Sequence, residues 1–273
     1  MTIAPWLCRL GHVATTAQLR ASRITHSALS VALRDGAIER IVRGTFACAH
    51  LDGRMRDAAH SRTLIDCVSA LDAHADVWSG ILRTGLHVRA EPGRHIGALP
   101  EGTVVHWSAR HEEQTFDLEV APVDALLSVM RCLDPYDVIA CIESALHLGY
   151  LNEQEFKRLR DLAPKWMLAY LTRIDRGAQS GLETHPRLWL QDLGHRVETQ
   201  VPIPGAGVLD LLVDGNVGIE TDGAKWHAHR FLADRSKDVG IERWGIRVLR
   251  IGRPHIFDTW PDTLATIERM LGE

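Results

Sequence analysis

Changes in the spacing of apolar residues divide this chain into three zones, 1–54, 55–175 and 176–273. In the first, Thr16-Ala-Gln-Leu-Arg-Ala-Ser22 predicts a short helix with Thr15 or Thr16 as its N-cap. Thr25–Arg34 predicts a second, with Ala28, Leu29, Ala32 and Leu33 on one stripe and Asp35-Gly36 as its stop. Ile38–Phe46 then reads as two short strands hinged near Arg43-Gly44. Helix, turn, helix and hairpin in that order predict a winged helix-turn-helix.

The second zone is mixed. Helical spacing runs through Ala58–Ala73, Val123–Leu133 and Tyr136–Leu148, the last opened by Asp134-Pro135. Leu86–Val120 alternates like strands, with turns at Glu91–Arg94 and Pro100–Gly102. No chemical motif stands out there, which makes it an α/β connecting or partner-binding region. In the third zone a helix over Leu182–Leu193 ends in Gly194, and strands follow over Val197–Ile203, Val208–Val213 and Val217–Thr221. A polar helix from Phe231 to Trp244, a buried strand over Ile246–Ile251 and a terminal helix over Pro261–Leu271 complete it. The expected class is α/β, in the α+β multidomain sense, and the order α-β-β-β-α-β is that of a restriction-endonuclease-like core.

Composition narrows the choice. With 45% hydrophobic residues in 273 the chain can build real cores, so disorder is not the expectation. No leader pattern is present and no stretch approaches the roughly 18 apolar residues of a membrane span, so a cytoplasmic protein without membrane contact is expected. The five cysteines are scattered without a C-x-x-C pair, and the histidines form no H-E-x-x-H. They read as reduced thiols and incidental imidazoles, not as a disulfide framework or a zinc site.

A net charge of −4 gives no whole-chain signature of nucleic-acid binding, yet the first 54 residues carry seven arginines against three acids. The second helix would offer Thr25, His26, Ser27, Ser30 and Arg34 to a major groove, and the hairpin would offer Arg40 and Arg43 to phosphates. A small helical cap with solvated arginines accounts for the same pattern.

The acids of the third zone carry the chemistry. Asp210 sits among Leu209, Leu211 and Leu212, and Glu220 and Asp222 close the next strand in Ile219-Glu-Thr-Asp-Gly223. A carboxylate inside an apolar strand is costly unless something pairs with it. Asp210 and Glu220 on neighbouring strands would together suit a hard divalent cation, Mg2+ or Mn2+, as phosphodiester hydrolysis requires. Lys225 and His227 follow in Gly223-Ala-Lys-Trp-His227, where either could orient water, transfer a proton or stabilise charge. A plain Asp-Gly turn accounts for Asp222 alone, and a solvated surface position for Lys225 or His227 taken singly.

Val208–Arg250 resembles the bacterial family catalogued as domain of unknown function 559, related to the very-short-patch-repair mismatch endonucleases. The resemblance rests on Asp210, on Ile219–Gly223 with Trp226-His227, on Ala233-Asp-Arg-Ser-Lys-Asp238 and on Gly245–Arg250. It implies a further site acid at Glu183 in Ser180-Gly-Leu-Glu183. Two departures stand out. Asp222 occupies the place of the lysine in an E-x-K motif, which leaves Lys225 or His227 to act. Pro186 should delay the start of the helix after Glu183, since proline suits only a first turn. His12–Leu19 through Gly36–Phe46 is similar to the winged-helix antitoxin domain of the AbiEi type.

These readings combine into one expectation. The protein binds double-stranded DNA and cuts it with Mg2+ or Mn2+ held by Asp210 and Glu220. Glu183 and Asp222 assist, His227 or Lys225 serves as base or stabiliser, and Arg235 and Lys237 grip the strand. The alternative is a non-catalytic transcriptional regulator or antitoxin on a degenerate nuclease fold. A cognate toxin protein and a homodimer are further partner expectations.

Overall fold

Thr15 and Thr25 set the geometry of the first zone by capping its helices. A computed structural model describes residues 3–9, 11–74, 77–80, 85–112, 118–222 and 240–272. Thr15 forms a reciprocal capping box with Gln18 at the start of α2 (Thr16–Ala21), after α1 (Ile3–Arg9) and strand β1 (Val13–Thr15). The Thr25 hydroxyl accepts from the Ala28 amide and opens α3 (His26–Arg34). Strands β2 (Ile38–Val42) and β3 (Thr45–Cys48) turn through Gly44, at φ +85°, and form an antiparallel sheet in the order β1-β3-β2. Leu29, Ala32 and Leu33 pack on a core of Ile3, Leu7, Leu19, Ile38 and Phe46, whereas Ala28 is exposed.

The helix expected over Ala58–Ala73 is divided. α4 (Gly53–Ser61) stops at Arg62, whose backbone is left-handed at φ 61°. The Ser61 hydroxyl bonds back to the carbonyls of Asp57 and Ala58, and the Thr63 hydroxyl also reaches Ala58, so local side chains compete with the next turn of helix. β4 (Leu64–Ile65) intervenes before α5 (Cys67–Asp72), which Asp66 caps. β4 pairs antiparallel with β5 (His87–Ala90), which pairs parallel with β6 (Val104–Trp107).

α6 (Pro122–Cys132) belongs to the same unit, and buried Arg89 ties it to this sheet. Its guanidinium donates to Asp66 at 2.9 Å, Asp124 at 2.6 Å and Ser128 at 2.9 Å. One unit comprises Met1–Leu133 and Leu151–Pro164, the latter holding α8 (Glu153–Leu162).

The second unit comprises Asp134–Tyr150 and Lys165–Glu273. Helices α7 (Pro135–His147) and α9 (Leu168–Leu171) belong here, and α7 packs on α10 (Gly181–Asp192). β7 (Val197–Ile203), β8 (Gly207–Val213) and β9 (Val217–Asp222) form an antiparallel meander, and β10 (Arg247–Gly252) adds in parallel to β9, in the order β10-β9-β8-β7. Residues 240–242 are helical, and the rest of the expected helix up to that point lies outside the described residues. A short helix, Arg253–Phe257, precedes the terminal helix Trp260–Gly272. Contrary to expectation, α10 begins at Gly181 and runs through Pro186, because its burial offsets the amide that proline lacks. The fold is mixed α/β, and no described helix is long and apolar enough to cross a membrane.

Candidate active site

Helix α10 presents its first turn, with Glu183, to the meander, and a buried ion pair fixes it. Arg187 donates to Glu143 of α7 at 2.6 Å, and Glu143 also accepts from the Thr184 hydroxyl at 2.6 Å and the Asp175 amide at 2.7 Å. Burial pushes the Glu143 carboxyl upward, against the pull of Arg187 and these donors. Asp175 in turn accepts from the Thr199 hydroxyl of β7 at 2.7 Å and from the Gly177 amide at 2.7 Å. A Cβ at Gly177 would sit 3.0 Å from the Thr199 hydroxyl and 3.2 Å from the Asp175 carboxylate, so the close approach of loop and strand needs a residue without one.

Glu183 is buried, at 4% exposure, and accepts from the Gln179 amide at 3.1 Å, the Ser180 hydroxyl at 3.2 Å and the Gln200 side-chain amide at 3.0 Å. Its pKa is nevertheless raised to about 7, first by burial and then by the charge of Asp210. Asp210, half-buried in β8, accepts from the Thr221 amide at 2.8 Å and its hydroxyl at 3.1 Å. Glu183 on α10 thus feels the charge of Asp210 on the adjoining β8, with Gln200 supporting the first acid and Thr221 the second.

Gln200 lies between the residues of β7 that pair with Leu209 and Leu211, which puts it across from Asp210. Its φ of 49° is left-handed, a costly conformation for a non-glycine residue. The carboxamide accepts from Gln179 at 3.0 Å while donating to Glu183. Neither Gln200 nor Thr221 stands out in the sequence, since an amide and a hydroxyl in a strand are unremarkable until a register places them beside acids.

Glu220 is buried, at 8% exposure, and occupies the β9 position paired with Arg250 of β10. By alternation along β9 it shares the face of Gly218, where a Cβ would meet Leu209 and Ile246. Thr221, which bonds Asp210, takes the other face. The Asp222 backbone ends β9. Lys225, His227, Arg235 and Lys237 lie outside the described residues, as does the side chain of Asp222.

In the first unit Thr25, His26, Ser27, Ser30 and Arg34 of α3 are all exposed, as are Arg40 and Arg43 of the hairpin. Arg34 meets Asp35 at 3.2 Å in open solvent, a contact of small worth, and Arg40 stands over the Phe46 ring at 5.4 Å. Set beside known proteins, the chain matches no protein-family model and no curated protein.

Proposed function

We propose that this protein binds duplex DNA through a winged-helix head and hydrolyses phosphodiester bonds at a restriction-endonuclease-like site in its second unit. The observation that carries this reading is the buried carboxyl of Glu183 on α10, raised by burial and then by the charge of Asp210 on the adjoining β8, two acids that a cation would reconcile. Carboxylate oxygens and the Thr221 hydroxyl are hard donors that fit Mg2+ or Mn2+. Such an ion, when bound, polarises a phosphoryl oxygen and acidifies water. Asp210 and Glu183 would hold it, and Thr221 and Gln200 would orient the two carboxylates; Glu220, by alternation, takes the face of β9 opposite Thr221. The exposed polar face of α3 and the arginines of the hairpin suit a groove and its phosphates.

Plasmid cleavage tests the reading. Purified full-length protein should nick supercoiled DNA with magnesium or manganese but not calcium, whose looser coordination positions water poorly. Asp210→Ala and Glu183→Ala should each abolish the nicking. Equal cleavage by wild type and Asp210→Ala would assign the activity to a contaminant and sink the proposal.

Arg250, at the register position of Glu220, favours a second reading, because the chain there supplies its own cation beside an acid. On that reading the fold is a scaffold for a regulator or antitoxin. DNA binding by the head without cleavage under any metal would support it.

A further inference from the structure

The sequence spacing gives no sign of a metal-binding cysteine group, yet the first unit gathers one. Cys67, His87, His106 and Cys132 bring one donor atom each into a cluster whose members all lie within 4.8 Å of one another. Cys67 is the first residue of α5, His87 the first of β5, His106 the third of β6 and Cys132 the last of α6. Arg89 pairs with His106 in the parallel register, so His87, two residues before Arg89, shares its face of the sheet. Two helix ends then deliver the sulfurs to that face.

The geometry points to a structural zinc site formed by Cys67, His87, His106 and Cys132. Zinc–nitrogen and zinc–sulfur bonds of about 2.0 and 2.3 Å in a tetrahedron require ligand separations of roughly 3.3 Å between nitrogens and 3.6 Å between nitrogen and sulfur. The observed separations are 3.3 Å from His87 Nδ1 to His106 Nε2, 3.9 Å from Cys132 Sγ to His87 Nδ1, and 3.8 Å from Cys132 Sγ to His106 Nε2. Two imidazoles and two thiols are the donor set that selects zinc over the hard cations. Four protein ligands leave no open position, which makes the role structural rather than catalytic.

Two features support a built site. Cys67, His87 and His106 are buried, and only Cys132 is exposed. Cys67 also holds a left-handed backbone at φ 56°, while its amide donates to the Asp66 carboxylate at 2.7 Å. Such strain persists only where the surroundings enforce it. Asp66 is itself locked by Arg89, so the ion-pair network beneath the cluster fixes the approach of the first ligand. The ion would tie α5 and α6 to β5 and β6 in a sheet of three short strands.

Elemental analysis of full-length protein, expressed with added zinc and purified without chelator, tests this directly. About one zinc per chain should be bound at these residues. Cys132→Ser, at the exposed ligand, and His106→Ala should each lose that equivalent, whereas Cys141→Ser, outside the candidate ligand groups of the described residues, should keep it. Should a variant fail to fold, cobalt exchange into wild type provides an independent reading, through the ligand-field and sulfur charge-transfer bands of a tetrahedral thiolate site. Three results would overturn the assignment: wild type that takes up neither zinc nor cobalt, bound metal that survives Cys132→Ser and His106→Ala, or a Cys67–Cys132 disulfide found by thiol titration.

Discussion

Arg187 meets Glu143 at 2.6 Å with both side chains almost wholly shut off from water, and this contact holds the helix that carries Glu183. Removing one partner would strand a buried charge, a loss of roughly 3–5 kcal/mol. Arg187→Ala and Glu143→Ala should each lower the denaturant midpoint of the second unit by that order. The double variant should lose less than the sum, because the pair is one interaction. A loss below about 1 kcal/mol in either single variant would mean the contact does not anchor α10.

Glu183 gives a pH prediction. Its folded pKa of about 7 stands above the ordinary 4.5, through burial and then the charge of Asp210. Between those values the folded chain keeps a proton that the unfolded chain has lost, so stability falls as pH rises. The contribution is fully present below about pH 4.5 and gone above about 7, with a size on the order of 3 kcal/mol. Denaturant midpoints from pH 4.5 to 7.5 should fall more steeply for wild type than for Glu183→Gln. Parallel curves would refute it.

Asp210→Asn should raise the melting temperature of metal-free protein, because it removes the charge that Glu183 opposes. The same change should abolish the stabilisation that magnesium or manganese confers on wild type by mass action. A metal-induced shift of full size in the variant would place the ion elsewhere.

The support given by Gln200 is separable from the acids themselves. Gln200→Ala deletes the 3.0 Å bond to Glu183 without touching a carboxylate, and should lower cleavage roughly 10–100-fold while leaving DNA affinity unchanged. Gln200→Gly should relieve the left-handed backbone and make the protein more stable, though no more active. Full activity in Gln200→Ala would remove it from the site.

Arg34, Arg40 and Arg43 should act through phosphates. Replacing all three with alanine should weaken duplex binding and flatten its logarithmic salt dependence by about 3, near 0.9 for each lost contact. Titrations at several salt concentrations measure this. An unchanged slope would return the first zone to a packing role.

Sequence alone determined the elements wherever the signal is local. β7 was readable end to end because its strand spacing is bounded by Gly194 and by Pro204-Gly, and the two helices of the first zone because threonine caps and an apolar stripe agree. The acids in apolar strands marked where chemistry could sit, since an unpaired carboxylate there is expensive. The break at Arg62 was not readable: helical spacing persists across it, and only the hydroxyl bonds of Ser61 and Thr63 and the pairing of β4 overrule it. Tertiary structure alone decided which acid faces which. Asp210 and Glu183 lie 27 positions apart in sequence, and only the seating of α10 on β7 and β8 lets the charge of one raise the pKa of the other. It also decided the fate of the cysteines, because Cys67 and Cys132 meet His87 and His106 only once two helices settle on one sheet face. Periodicity reports each residue's own element, whereas convergence depends on register and packing between distant elements, which no local spacing encodes.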